Sequence, residues 1–175
     1  MRYTSRRKQL RQNFLVNRGL LRRLLKKTSI TANDVILDIG AGSGNLTKEL
    51  IKTCDHVIAI ETDPQLITQL RKTFRSNPKI IVVNNDFLKF HLPETSYKVF
   101  ANIPFNLQTE IVNKLFVDPK KTPVDCYLIV EHKFAAKLMR RIDIYCRYLH
   151  HFHRTDFYPQ PYTHTVLVHI RKQIV

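Results

Sequence analysis

Along this chain the apolar positions alternate between runs of consecutive hydrophobic residues and stripes repeating every three to four, the mark of strands alternating with helices. Leu20, Leu21, Leu24 and Leu25 form a helical face opposite Arg22, Arg23, Lys26 and Lys27. A turn at Thr31–Asp34 leads into the apolar run Val35 to Ile39, and Leu46, Leu50 and Ile51 then recur at helical spacing. His56 to Glu61 predicts a second strand, continuously apolar as in a sheet covered on both faces. Asp63 and Pro64 suit a helix start, with Leu66, Ile67, Leu70 and Phe74 as its buried stripe. Further strands are predicted at Lys79 to Asn84, Lys98 to Ala101 and Asp125 to Val130, with a last one at Thr165 to Ile170. Helices are predicted at Thr109 to Phe116 and from Phe134 to Arg141. Between Ile142 and Thr155 aromatics and histidines crowd together without clean periodicity. Five strands alternating with helices specify an α/β fold with a doubly wound, mostly parallel sheet. There is no internal repeat and no linker, so the chain is one domain: a basic arm and helix over 1–30, then the α/β unit over 31–175.

In such a sheet, ligands bind where strands end. Three of only four glycines, Gly40, Gly42 and Gly44, fall at alternate positions between the first strand and its helix. That loop lets backbone approach a ligand closely and presents free N–H groups. Glu61 lies about twenty residues further on, the spacing at which a carboxylate reaches ribose hydroxyls. Asp86, at the next strand end, could accept from an adenine amino group. A dinucleotide site would account for these residues, but not for Asn102-Ile103-Pro104-Phe105 at the end of the following strand.

That tetrapeptide suits a different reaction. An aromatic amine such as adenine N6 is a poor nucleophile because its lone pair is delocalised into the ring. The Asn102 side-chain oxygen and a neighbouring carbonyl, each accepting one N–H, would draw the nitrogen toward tetrahedral geometry. Pro104 stiffens the turn, and Phe105 can stack on a base presented unpaired or flipped out.

Charge names the partner class. The net charge is +15, and ten of the 29 Lys and Arg residues precede Asp34, the first acidic residue. A basic arm on a nearly balanced body points to a polyanion, nucleic acid above all. Cys54, Cys126 and Cys146 are scattered and odd in number, which fits a reducing, cytoplasmic setting and neither a disulfide framework nor a zinc site. No apolar run approaches a membrane span and no signal-peptide pattern opens the chain, so no membrane partner is expected. His150, His151 and His153 lack a second ligand cluster and read as a solvated or RNA-facing patch, with no metal.

Taken in order, Gln12-Asn13-Phe14-Leu15, Asp38-Ile39-Gly40-Ala41-Gly42-Ser43-Gly44, Glu61-x-Asp63, Asp86-Phe87-Leu88, Asn102-Ile103-Pro104-Phe105 and Phe157-x-Pro159-x-Pro161 resemble the rRNA adenine N6-methyltransferase family. That family includes Erm-type 23S rRNA dimethyltransferases of macrolide resistance and KsgA-type 16S enzymes. Asn13 after Gln12, and Ile103 with Phe105, are closer to the Erm side. The resemblance implies a Rossmann-like class I fold and S-adenosylmethionine as cofactor, with methyl transfer to adenine N6, usually twice. It implies cofactor contacts from Asn13, Leu15, Gly40, Gly42, Glu61, Asp86, Phe87 and Asn102. Catalysis would fall to Asn102, Ile103, Pro104 and Phe105. Substrate contacts would come from Phe105, from Phe157 closing the pocket, and from Arg6, Arg7, Lys8 and Arg11 on the arm. The expected partner is ribosomal RNA, 23S before 16S, met by a monomer in the cytoplasm. A KsgA-type 16S enzyme, or an idle RNA-binding factor of the same fold, is the alternative.

The chain departs from the family pattern in three places. Asp38 replaces the more usual Glu, and no helical C-terminal domain follows the last strand. The stretch between Leu138 and Phe157 looks short, so a sheet strand and its helix are expected to be trimmed or missing.

Overall fold

A computed structural model describes residues 13–173. Arg6, Arg7, Lys8, Arg11 and Gln12 lie outside the described residues. The described residues open with a two-residue strand, β1 (Phe14–Leu15), and helix α1 (Arg18–Leu25). Asn17 starts α1 by accepting the Leu20 N–H at 3.0 Å, and Leu20, Leu21, Leu24 and Leu25 bury its apolar face as the spacing predicts. Then come β2 (Val35–Ile39), α2 (Asn45–Leu50), β3 (His56–Glu61) and α3 (Pro64–Thr73). Asp63 caps α3 through the Gln65 N–H, with Pro64 in the first turn. β4 (Ile80–Asn84), β5 (Lys98–Asn102), α4 (Gln108–Val117), β6 (Cys126–Glu131) and α5 (His132–Leu138) continue the alternation. The chain finishes with β7 (Ile144–His151), β8 (Phe157–Tyr158) and β9 (Thr165–Lys172).

Among the described residues seven strands form one sheet in the order β4-β3-β2-β5-β6-β9-β7. The first five are mutually parallel, and β9 runs antiparallel between β6 and β7. On one face Ile111, Val112, Leu115, Ala135 and Leu138 of α4 and α5 pack on Leu37, Val99, Leu128 and Val168. On the other, the leucines of α1 and Leu46 and Leu50 of α2 pack on Ile36, Val57, Phe100 and Ile129. Each such Leu, Ile, Val or Phe side chain, fully removed from water, contributes about 1.5–3 kcal/mol.

Two expectations need correction. The region after Leu138 lacks no strand: β7 is eight residues long and completes the sheet edge. Its period-two signal is broken by a register shift between Tyr148 and His150, so the sequence reads as irregular where the backbone is paired. The last helix also begins at His132 and ends at Leu138, earlier than the span from Phe134 to Arg141.

At the amino ends of the strands a buried polar network ties the α1–β2 connection to the sheet. Asp125 accepts from Ser29, from Arg171 and from His169 Nε2, the last at 2.6 Å. Burial alone would raise its pKa, but those hydrogen bonds outweigh it and hold the carboxyl down at about 2. Lys98 reaches the Ser29 carbonyl at 2.6 Å and Asp34 at 2.9 Å in the same network.

Candidate active site

The strand order reverses between β2 and β5: from β2 the chain steps outward to β3 and β4, then returns to β5 on the other side. A crevice opens at the carboxyl ends of strands flanking such a point. Here it holds two clefts that share Gly40 and Pro104. The larger is walled by Ile39, Ile60, Phe87, Leu107 and Ile111, with Glu61 and Asp86 among its polar groups. The smaller is lined by Asn13, Phe14, Asn102 and Ile103 besides the shared pair.

The glycine loop is shaped by what lies against it. Gly42 has φ +58°, and a Cβ there would fall 2.4 Å from the Phe14 ring. Gly44, at φ +78°, would place a Cβ 2.8 Å from Leu70 of α3. One glycine therefore admits β1 onto the loop, and the other admits the helix behind it. The Gly42 N–H donates to Glu61 Oε2 at 2.9 Å, while Glu61 Oε1 accepts from the Thr62 and Asp63 N–H groups at 2.7 and 3.0 Å. Glu61 is only 2% exposed, so three backbone donors fix an otherwise costly buried carboxylate at the cleft wall. Beneath the loop, Asp38 accepts the Thr47 hydroxyl at 2.6 Å. Burial pushes its pKa up to about 7, and the neighbouring Glu61 charge adds to the rise. Thr47 went unnoticed in the sequence, although a polar residue on the inward face of α2 is itself a signal of a buried partner.

Asn102 donates its amide N–H to the Asn13 carbonyl at 2.6 Å. With the nitrogen so committed, the side-chain oxygen is the atom left to accept from a donor in the smaller cleft. Pro104 sits against the loop, its Cδ 3.6 Å from where a Gly40 Cβ would be. Ile103 is buried, whereas Phe105 is half-buried at the start of a short 3-10 turn, Phe105–Leu107. The next residue, Gln108, donates to Glu131 at 2.9 Å and accepts the Glu131 N–H at 3.0 Å, which ties this turn to the end of β6. The sequence alone gave no sign of that pairing. Asp86 lines the larger cleft and also caps the turn Phe87–Lys89 through the Leu88 N–H at 2.9 Å.

Asn13, Gly40, Glu61, Asp86, Phe87, Asn102, Ile103 and Pro104 thus line one cleft or the other, and Gly42 touches them through Glu61 and Phe14. Leu15 and Phe157 line neither. Both are buried and directly paired across the β1–β8 ribbon, and Phe157 packs edge-on against Phe152 at 5.2 Å. The buried Phe157 side chain anchors the ribbon that carries Phe14 to the loop. The strand alternation that turns Phe157 inward turns Tyr158, opposite Phe14, outward. Among the described residues no group of three or more His, Cys, Asp or Glu side chains is placed to hold a metal ion. None of their helices is long and apolar enough to cross a membrane.

The family model for ribosomal RNA adenine dimethylases matches residues 3–149. The chain belongs to that family. It is 33% identical over 173 residues to an rRNA adenine N-6-methyltransferase of Limosilactobacillus reuteri, a match spanning 92% of this chain and 69% of the relative. A probable ribosomal RNA small subunit methyltransferase A of Methanosarcina barkeri is 38% identical over 128 residues, 73% of this chain and 43% of that one. Among solved structures, the 23S rRNA methyltransferase ErmE superposes with a TM-score of 0.82 at 25% identity, covering 92% of this chain and 70% of that chain. A dimethyladenosine transferase from Plasmodium falciparum shares the fold, with a TM-score of 0.80 at 23% identity over 91% of this chain and 63% of that one. By family this is a methyltransferase enzyme, and the family implies use of S-adenosylmethionine.

Proposed function

We propose that the chain methylates adenine N6 in ribosomal RNA, 23S in the Erm manner that confers macrolide-lincosamide-streptogramin resistance, and usually twice per adenine. The observation that supports the chemistry is Asn102 at the wall of the smaller cleft, its amide nitrogen bonded to the Asn13 carbonyl, which in this reading leaves its oxygen to accept from the target amine. An adenine amine entering the smaller cleft would donate one N–H to that oxygen and the other to the Ile103 carbonyl. Pro104 would hold the two acceptors in register, and the half-buried Phe105 would offer a face for the base. No general base is required, because the proton is acidified once the nitrogen is alkylated and can pass to water.

The larger cleft suits a nucleoside. Its apolar walls match a purine, and in this reading Glu61 takes the ribose hydroxyls and Asp86 the exocyclic amine. The Gly40–Gly42 backbone and Asn13 adjoin the shared boundary, where the methionine end of the cofactor would lie. S-adenosylmethionine, when bound, supplies a sulfonium methyl that needs no further activation. The basic arm within 1–30 would grip phosphates, while the unit over 31–175 carries out the transfer.

The match to the Methanosarcina barkeri small-subunit enzyme favours 16S rRNA as the second reading. Methyl-acceptor mapping on protein-free 23S and 16S rRNA decides between them. The chemical claim is tested by Asn102→Ala under single-turnover conditions with saturating cofactor and RNA. Transfer should slow by about a hundredfold or more, with cofactor affinity nearly unchanged. Transfer at the parent rate overturns the assignment.

A further inference from the structure

Three rings form a cluster beside the site that the reaction itself does not use. His132, the first residue of α5, stacks on Tyr148 with centroids 5.4 Å apart and planes 7° from parallel. His151 meets Tyr148 at 5.2 Å and His132 at 5.8 Å. Tyr148 and His151 are three residues apart in a strand, which would ordinarily send them to opposite faces. The register shift between Tyr148 and His150 returns them to one face, opposite Val168 and Val166 of β9. The irregularity that hid β7 in the sequence thus assembles the cluster.

Its location is also informative. His132 directly follows β6, whose Ile129 lies opposite Asn102. β9 and β7 come next in the sheet, so the end of β7 is about 14 Å from Asn102 at ordinary strand spacing. His151 is exposed, His132 and Tyr148 are half-buried, and Lys133 is exposed next to His132. Exposed rings beside a cation on a chain of net charge +15 fit unpaired nucleotides, whose every base has a stacking face.

We propose that His132, Tyr148 and His151 form a stacking platform for an unpaired nucleotide flanking the target adenine. The inference rests on the RNA-methylating reading above and adds where the neighbouring base is held. The test uses the full chain and a stem–loop RNA with an unpaired, adenine-rich loop, alongside the same RNA made abasic at the positions flanking one adenine. His151→Ala should weaken binding of the intact RNA by about 5- to 100-fold. His151→Phe, which keeps a π-face without the imidazole, should restore most of the loss, and the salt dependence should not change. On the abasic RNA, the parent and His151→Ala should bind alike. Equal affinity of parent and His151→Ala for the intact RNA overturns the platform alone, as does an undiminished difference on the abasic RNA. Failure of the parent to bind either RNA overturns the RNA-methylating reading and the platform with it.

Discussion

Gly42→Ala should do more damage than a one-carbon change suggests, and Phe14 is the reason. The new Cβ would lie 2.4 Å from Phe14 Cε1 and 2.9 Å from Cδ1, far inside the 3.5–4.0 Å of ordinary carbon contact. Phe14 cannot simply withdraw. Its strand is paired with β8, and the Val16 N–H donates to the Asp156 carbonyl at 2.8 Å just beyond. Overpacking of this kind costs about 1–3 kcal/mol, and an L-residue at φ +58° costs about 1–2 kcal/mol more. The sum of roughly 2–5 kcal/mol lowers the melting temperature by roughly 4–20 °C in a domain of this size. The chain has no tryptophan, so urea unfolding followed by far-ultraviolet circular dichroism is the practical assay. A double-mutant cycle isolates the contact: in a Phe14→Ala background the alanine at 42 meets no ring, and only the backbone cost remains. Gly42→Ala should then be milder by about 1–3 kcal/mol, with the urea m-value unchanged. An equal cost in both backgrounds would show that Phe14 does not press on the loop, and the account of β1 as part of the site would fail.

Glu61→Gln keeps the shape of the cleft wall but replaces one of two acceptor oxygens with a donor that faces backbone N–H groups. S-adenosylmethionine affinity, measured by isothermal titration calorimetry, should fall by about 5- to 150-fold with the fold retained; an unchanged dissociation constant refutes the assignment. Asp38, raised from 3.8 to about 7, favours the folded state fully below its unfolded value, and that contribution is lost as pH rises through about 7. The stability of Asp38→Asn relative to the parent should therefore improve between pH 4 and pH 8, by up to about 4 kcal/mol. A difference that stays flat across that range, read from urea unfolding at each pH, contradicts a buried neutral carboxyl.

How much of this was legible in the sequence depends on how local each interaction is. The parallel strands, their helices, the glycine loop and the acids at strand ends were readable because each is written in consecutive residues: an apolar run, a stripe, a cap, a turn. Asn102-Ile103-Pro104-Phe105 could be placed at a strand end for the same reason. Pairings between distant segments were decided only in three dimensions. The bond from Asn102 to the Asn13 carbonyl spans 89 positions, and no local pattern specifies it. The pairing of Phe157 with Leu15 joins segments far apart in the chain, and no local pattern specifies a ribbon so short. β7 was hidden because one extra residue in a strand inverts the period that sequence reading relies on, while backbone hydrogen bonds to β9 tolerate the irregularity. Local periodicity set the elements; the register between them set the site, because a shift of one residue reverses which side chains face inward.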